Sequence, residues 1–235
     1  MNEINKLNEL IEIKKRYERR NSLTPHRYNI LQPDVYLRKQ EFERGLIKWL
    51  TWKNYPSIQE LKLLEIGCGG GLNLLKFIEL GFQPVNILGN ELLTERAVSA
   101  RKILPKEIEI IEGDALKLDI SHNSYDVVFQ STVFSSILNF EFQKELAEKL
   151  WNIAKPEGGI LWYDFTYNNP RNRDVSGITL KKIRQLFPNG IITHWRMTLA
   201  PPISRFVTKF HPNLYSLFNI FPFLKTHILC WIEKK

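Results

Sequence analysis

A short glycine-rich turn between an apolar strand and a helical pattern constrains the fold of this chain more than any other feature. Leucine and isoleucine dominate the run from Leu61 to Ile66, residues 67–71 read Gly-Cys-Gly-Gly-Gly, and helical spacing of apolar residues begins at Leu72. Glycines let a backbone come close to a ligand, and a strand, a glycine turn and a helix in this order open the nucleotide-binding unit of α/β sheets. We therefore expect a mostly parallel sheet with a ligand at the carboxyl ends of its strands.

Two common glycine signatures do not fit this turn. In the dinucleotide pattern Gly67 and Gly69 match, but the sixth position is Leu72, where a small residue is needed for close helix packing. The phosphate-loop pattern ends in Gly-Lys-Ser/Thr, whereas Gly71 is followed by Leu72 and Asn73. A tight turn without a ligand would need only one or two glycines. The turn therefore indicates a different nucleotide-like ligand.

Acidic residues follow the next two predicted strands. Glu91 ends the segment that begins at residue 85, about 20 residues after the glycines, where a carboxylate that accepts ribose hydroxyls is expected. The alternative for Glu91 is to cap a helix over residues 92–103. Asp114 follows a third predicted strand, residues 108–112.

The spacing Glu65-x-Gly67-x-Gly69-x-Gly71 resembles motif I of class I S-adenosylmethionine-dependent methyltransferases. This resemblance implies that S-adenosylmethionine is the cofactor, with its methionine end over the glycine loop and its ribose at Glu91. Cys68 would be a small packing residue of the loop. The other cofactor contacts that the resemblance implies are Leu92, Asp114 and Ala115 at the adenine, Gln130 and Ser131 at the methionine part, and Tyr17, Arg20, Tyr28, Tyr36 or Arg38 at the carboxylate.

Strands and helices alternate along the rest of the chain, which is typical of an α/β fold with helices on both faces of the sheet. We expect a Rossmann-like class I methyltransferase fold with seven strands, mostly parallel, in which the last strand (226–232) is antiparallel to strand six (191–199). Residues 1–60 would form an N-terminal helical cap, with a helix from Gln40 to Leu50 beside strand one. Residues 61–235 would form the methyltransferase domain, with an acceptor-side insertion at about 200–226.

Charge is divided unevenly along the chain. Residues 1–60 carry a net charge of +4, residues 61–164 carry −5 and residues 165–235 carry +9, which sums to +8. The last third supplies much of the acceptor side in this fold, so its charge favours an anionic acceptor or one at a membrane surface. A basic face that only aids solubility is the alternative.

Candidate acceptor-binding residues lie in this basic third. Arginine forks suit phosphate, carboxylate or sugar hydroxyls. The candidates are Tyr167, Asn168, Arg171 and Arg173 in the loop after strand five, and Arg196 on strand six. Alternation predicts that His194, Arg196 and Thr198 share one face of that strand.

An alcohol acceptor benefits from a base that takes its proton. His194, Asp164 and His26 are candidates, and the sequence does not choose among them; a structural role for His194 stays open. No cluster of metal ligands is present in the sequence, so we expect no metal.

Methyl transfer to oxygen of a sugar, glycan or related small molecule is the predicted function. The segments 198–205 and 224–227 resemble a methyltransferase subgroup of bacterial surface-polysaccharide biosynthesis. The Asp/Asn-Pro-Pro-Tyr/Phe pattern of nucleic-acid amino methylation is absent after strand four, which argues against a nucleic-acid partner. An RNA methyltransferase and a non-catalytic cofactor-binding module are the alternatives.

Two further predictions concern the setting of the protein. The polar amino terminus does not read as a signal peptide and two cysteines supply no disulfide framework, so we expect a cytoplasmic protein. The aromatic stretch at residues 203–226 could cover the acceptor, contact a membrane peripherally, or form a homo-oligomer interface, with ordinary packing as the default.

Overall fold

The structure, a computed structural model, describes residues 2–21, 29–168 and 172–235. The helices are α1 (Glu3–Asn21), α2 (Pro33–Lys53), α3 (Leu72–Glu79), α4 (Thr94–Ile103), α5 (Phe140–Ile153), α6 (Leu180–Leu186), α7 (Pro201–Val207) and α8 (Asn213–Phe218). The strands are β1 (Leu63–Ile66), β2 (Ile87–Glu91), β3 (Glu109–Glu112), β4 (Tyr125–Ser131), β5 (Ala154–Phe165), β6 (Ile191–Leu199) and β7 (Lys225–Glu233).

All seven strands form one sheet in the order β3-β2-β1-β4-β5-β7-β6. Strands β1 to β5 pair in parallel, and β7 pairs antiparallel with both β5 and β6. The strand order reverses between β1 and β4, which is the switch point where ligands of such sheets bind. The predicted seven-stranded, mostly parallel Rossmann-like sheet with an antiparallel last strand is confirmed.

Two strand boundaries differ from the prediction. Residues 84–86 form a 3-10 turn that begins at Pro84, so β2 starts at Ile87. Strand β5 starts at Ala154 rather than at residue 160, because the chain stays extended through a register shift that leaves Ala154 opposite Tyr125.

Apolar cores lie on both faces of the sheet. The core that includes Phe142 of α5 and Ile183 of α6 covers one face, and the core that includes Trp49 of α2, Phe77 of α3 and Ala97 of α4 covers the other. Helices therefore cover both faces, as the apolar spacing predicts.

Helix α2 lies against the antiparallel end of the sheet, not only beside β1 as predicted. A Cβ at Gly45 would lie 2.2 Å from the Cε of Met197 on β6, so the glycine leaves room for the Met197 side chain against the helix. Trp49 of the same helix packs on Trp231 of β7, with ring centroids 5.3 Å apart. The helix that precedes β1 in sequence thus stabilises the last two strands.

The segment between β6 and β7 is anchored to the same helix. Glu41 of α2 is buried and accepts hydrogen bonds from the backbone N–H of Thr198 at 2.8 Å and from the hydroxyl of Tyr215 at 2.5 Å. Tyr215 of α8 also packs with Leu199 and Val207 in a small separate core. Within the described ranges, no helix combines the length and the apolar content that crossing a bilayer requires.

Candidate active site

Three glycines after β1 adopt a backbone conformation that other residues rarely take. Their φ angles are +66° at Gly67, +59° at Gly69 and +85° at Gly71. A Cβ would lie 2.6 Å from Val133 Cγ2 at the first of these positions and 2.7 Å from the Nη2 atom of Arg96 at the second. The chain therefore needs glycine here for backbone geometry and for space.

The packing argument that we drew from Leu72 is wrong. Leu72 is 56% exposed at the start of α3, so it does not separate the helix from the sheet. Close helix packing occurs instead at Gly71, where a Cβ would lie 2.9 Å from a methyl group of Leu104. Helix packing at Leu72 therefore does not exclude a dinucleotide.

Glu91 is buried at the carboxyl end of β2 and holds the glycine loop. Its Oε2 accepts the N–H of Gly69 at 2.7 Å, and its Oε1 accepts the N–H of Leu93 at 3.0 Å. The helix-cap alternative is wrong, because the N-cap residue of α4 is Leu93 and has no side-chain cap. A carboxylate has about four acceptor positions, so Glu91 keeps capacity for further donors.

A cleft lies at the carboxyl ends of β1, β2 and β3. Five of the predicted cofactor residues line it from these strand ends: Gly67, Glu91, Leu92, Asp114 and Ala115. One oxygen of the Asp114 carboxylate accepts the N–H of Leu116 at 3.0 Å. These residues come from three separate strand ends, and the parallel sheet brings them to one edge.

Helix α1 covers this cleft with Leu10, Ile13 and Tyr17. Arg16 of the same helix is buried and donates hydrogen bonds to the carbonyl of Ser136 at 3.0 Å and to Glu9 at 2.9 Å. Tyr17, a predicted cofactor residue, therefore lies at the cleft. Arg16 was missed, although it lies seven residues after Glu9, two helical turns along the same face.

Glu65 is the acid of the predicted cofactor motif and is fully buried on β1. Asn73 donates a hydrogen bond to its Oε1 at 2.8 Å, and its Oε2 has no partner among the described residues. Burial raises the pKa of Glu65 to about 8. An unsatisfied buried acceptor beside the glycine loop fits a ligand that brings a cationic amine, and the methionine end of S-adenosylmethionine carries such a group.

Cys68 is a packing residue, as the resemblance implies. Its side chain is buried, its Sγ lies 3.9 Å from the carbonyl oxygen of Gly69, and burial raises the pKa of its thiol. A Cβ at Gly89 of β2 would lie 3.0 Å from this sulfur. Cys68 therefore fills the space between the glycine loop and β2.

Gln130 at the end of β4 shapes the turn that follows. Its Oε1 accepts the N–H of Val133 at 3.0 Å, and its Nε2 donates to the carbonyl of Tyr163 at 3.4 Å. Val133 and Ser136 from this turn line the cleft, whereas Gln130 and Ser131 do not. Contact of Ser131 with the cofactor stays a prediction.

Neither described candidate for the catalytic base lines the cleft. Asp164 is fully buried, accepts the N–H groups of Ser135 at 3.1 Å and Phe165 at 2.9 Å, and burial raises its pKa to about 7. His194 is exposed on the edge strand β6, opposite Cys230. Partial burial and the nearby arginines lower the pKa of His194. Asp164 holds the turn after β4, and His194 lies two strands away from β5, so a role of either side chain as the base stays a prediction.

The predicted acceptor residues separate into two groups. The guanidinium of Arg196 lies 3.5 Å from the hydroxyl of Tyr167, and Arg173 is exposed nearby in sequence. Asn168 instead accepts the N–H of Gly177 at 2.8 Å and so orders its own loop.

Thr198 does not share a face with His194, because a φ of +64° turns its hydroxyl toward that of Tyr163, 2.7 Å away.

Several predicted residues do not lie at the cleft or cannot be placed. Tyr36 accepts a hydrogen bond from Gln40 at 2.9 Å, and Arg38 pairs with Asp34 at 3.1 Å. The side chain of Arg20, and His26, Tyr28 and Arg171, lie outside the described residues.

His227 is a partly buried histidine of β7 that the sequence did not single out. Its ring stacks on Tyr163 with centroids 5.2 Å apart, and burial together with Arg38 lowers its pKa to about 3. Its alternation with Leu229 and Trp231 along β7 was the available signal, since both of these residues belong to the core on the α2 face.

The sheet order is that of the Rossmann-like fold of class I S-adenosylmethionine-dependent methyltransferases. The glycine turn after β1 and the acids after β2 and β3 lie together at one edge of that sheet. Residues 64–162 match the family described as "Methyltransferase domain". The structure superimposes on the PH0226 protein from Pyrococcus horikoshii with a TM-score of 0.62 and 14% identity, covering 90% of this chain and 97% of that one. It also superimposes on phosphoethanolamine N-methyltransferase 2 of Haemonchus contortus, solved with S-adenosyl-L-methionine, with a TM-score of 0.58 and 18% identity over 83% of this chain and 52% of that one.

Two curated relatives are O-methyltransferases. The malonyl-[acyl-carrier protein] O-methyltransferase of Bacteroides fragilis is 27% identical over 71% of this chain, which spans only 31% of that protein's length. The ubiquinone biosynthesis O-methyltransferase of Dinoroseobacter shibae is 29% identical over 75% of this chain and 67% of its own length. Residues 64–162 thus match a methyltransferase domain, and these relatives and structural neighbours support S-adenosylmethionine as the cofactor of such a domain. The described residues contain no group of three or more potential metal ligands.

Proposed function

We propose that the protein methylates an oxygen atom of a negatively charged small acceptor, of which a sugar or a glycan is the favoured class. The observation that carries this proposal is the division of charge, −5 over residues 61–164 against +9 over residues 165–235. The segments that follow β5 and β6, which carry part of this basic charge, leave those strands at the same edge of the sheet as the cleft. An anionic acceptor would be attracted to this edge and held away from the acidic half.

In this proposal the residues of the cleft hold the cofactor by complementary chemistry. Glu91 offers its remaining acceptor positions to ribose hydroxyls, Asp114 offers a carboxylate oxygen to the adenine amino group, and Glu65 offers its unsatisfied oxygen to the cationic amine. S-adenosylmethionine supplies a methyl group that is already activated by its positive sulfur. Helix α1 then keeps water from the cleft with Leu10 and Ile13.

Positioning of the acceptor falls to the loop after β5 and to β6. Arg196 and Tyr167 meet there, and Arg173 adds a further cation to the same loop. Since neither Asp164 nor His194 reaches the cleft, we assign catalysis mainly to alignment of the acceptor oxygen with the methyl carbon. The names of the two curated relatives support oxygen as the accepting atom.

The organisation that we propose is a helical cap over residues 1–60 and a methyltransferase domain over residues 61–235. In support, α1 covers the cofactor cleft and α2 packs on the strands that carry the acceptor side.

The test is a methyl-transfer screen with labelled S-adenosylmethionine against nucleotide sugars, glycan lipids, carboxylate acceptors and RNA. We expect transfer to a sugar hydroxyl that Arg196→Ala weakens by raising KM more than it lowers kcat. Glu91→Ala serves as the inactive control, and Glu95→Ala, an exposed acid at the start of α4, is its matched active control.

Each outcome of this screen decides a part of the proposal. Methylated RNA with a steep salt dependence would replace the proposed acceptor class. Full activity in Glu91→Ala would exclude the ribose assignment. Cofactor binding with no transfer to any acceptor, and no slow release of the demethylated product, would make the protein a cofactor-binding module.

A further inference from the structure

Every exposed phenylalanine of this protein lies between β6 and β7. Of 14 phenylalanines in the chain, all described, the four exposed ones are Phe206 (62%), Phe210 (71%), Phe221 (44%) and Phe223 (73%). We name residues 200–224 the edge segment. Burial removes apolar area from water at about 25 cal/mol per Å², so four exposed phenyl rings in one short segment favour a contact surface.

The exposed rings lie in two pairs on ordered structure. Phe206 and Phe210 have ring centroids 5.2 Å apart, and Phe221 and Phe223 have centroids 5.6 Å apart. The inner side of the edge segment is held by the buried Tyr215, whose hydroxyl donates to Glu41. The edge segment is therefore held in place on its inner side, and its exposed phenyl rings lie on its outer side.

The charge around these rings has one sign. Arg205, Lys209 and, directly after the segment, Lys225 are its basic residues, and residues 200–226 contain no aspartate or glutamate. Aromatic side chains flanked by lysine and arginine suit the boundary between the headgroups and the acyl chains of an anionic bilayer.

A second copy of this chain fits the edge segment less well than an anionic lipid surface does. A twofold interface would place the same patch on both sides, so these cations would face each other with no acid in the segment to pair with them. An anionic lipid surface would attract Lys209 and Lys225 together. We propose that the edge segment docks the protein on an anionic lipid bilayer, with the exposed phenyl rings inserted among the headgroups.

This docking would orient the active site. The edge segment leaves β6 at its carboxyl end and returns at the start of β7, which is the edge of the sheet where the cofactor cleft opens. A docked protein would therefore present its acceptor side to the lipid surface. The inference is independent of the proposed acceptor, since it concerns binding without turnover.

Co-sedimentation of the full chain with vesicles tests the proposal. The vesicles contain phosphatidylcholine and phosphatidylglycerol at 70:30, against phosphatidylcholine alone. We expect binding to the anionic vesicles, weakened at least about tenfold in Phe210→Ser/Phe223→Ser and about fivefold in Lys209→Gln. Val85→Ser, which removes an equally exposed apolar residue before β2, should bind as the parent does.

Thermal unfolding and binding of S-adenosylmethionine are measured on each variant, so that a folding defect is recognised. Three results would overturn the proposal. They are equal binding to both vesicle types, no binding at all, and a homodimer in sedimentation equilibrium that the phenylalanine substitutions dissociate. Docking of the parent protein together with no methyl transfer to any acceptor in the screen would leave this inference standing while the proposed function fails.

Discussion

The cofactor half and the acceptor half of the sheet are built in different ways. Around the cofactor cleft, contacts join strand ends that follow one another in the chain: Glu91 accepts the N–H of Gly69, and Asp114 accepts that of Leu116. On the acceptor half, Glu41 reaches Thr198 and Tyr215, which lie 157 and 174 residues away. Short motifs thus shape the strand-end side of the cofactor cleft, which α1 then covers, whereas the acceptor side depends on α2 packing on the last strands.

The largest effect that we expect follows from removing the long-range anchor. Glu41→Ala leaves the N–H of Thr198 and the hydroxyl of Tyr215 without their buried acceptor, and should lower the free energy of unfolding by about 3 kcal/mol. Urea unfolding measures this loss. Glu43 lies on α2, like Glu41, and forms a partly exposed ion pair with Lys76 of α3. Glu43→Ala should lower the free energy of unfolding by less than about 1 kcal/mol. Equal losses in the two variants would show that the acceptor half does not depend on Glu41.

A smaller effect, confined to cofactor binding, should come from the glycine loop. Gly67→Ala places a methyl group 2.6 Å from a methyl group of Val133 at a φ of +66°, so affinity for S-adenosylmethionine should fall by about 2 kcal/mol, roughly thirtyfold. Gly70→Ala is the matched control, because its φ is not positive and no atom lies within 4 Å of the added Cβ. Calorimetric titration compares the two variants. The comparison fails if Gly70→Ala weakens binding as much as Gly67→Ala does.

The smallest effect concerns pH and lies on the acceptor half. The pKa of His227 is lowered to about 3, so the folded protein holds this ring neutral while the unfolded chain protonates it below about pH 6.5. The contribution of His227 to the free energy of unfolding is therefore fully present above pH 6.5 and is lost as the pH falls from 6.5 toward 3. Between pH 7 and 5.5 we expect a loss of about 1–2 kcal/mol.

His227→Gln should remove this dependence. The pKa values of Asp164 and Glu65 are raised, so their contributions run the opposite way and decrease as the pH rises toward 7 and 8. Asp164 and Glu65 contribute equally in the parent and in the variant. Their contributions therefore cancel when the free energy of unfolding of one protein is subtracted from that of the other. Parallel pH profiles for the two proteins would mean that His227 is protonated in the folded state.

Much of the cofactor side was predictable because each of its parts is local. A glycine loop, an acid about 20 residues later and an acid after the third strand are patterns within short windows, and the parallel sheet brings them to one edge. The structure does place Gly67, Glu91, Leu92, Asp114 and Ala115 along one cleft, and it confirms the number of strands. Their roles toward the cofactor stay predictions.

The catalytic base was not predictable, since residue type and strand position do not reveal which side chains converge. His194 and Asp164 have suitable chemistry, but one is exposed on the edge strand and the other accepts two backbone N–H groups. Alternation also failed at Thr198, because a single positive φ reverses the face of its side chain. Such a conformation depends on the hydrogen bond from Thr198 to Glu41, which is distant in sequence.

The sequence by itself determined the fold class, the number of strands and the residues of the glycine loop, because these depend on periodicity and on short spacings. Only the tertiary structure decided that α1 covers the cleft, that Arg16 and Glu41 are buried anchors, and that His227 is held neutral. Those properties depend on burial and on contacts between distant segments. The four exposed phenylalanines show the same limit: the sequence shows that the edge segment is aromatic, and the folded chain decides which rings remain in water.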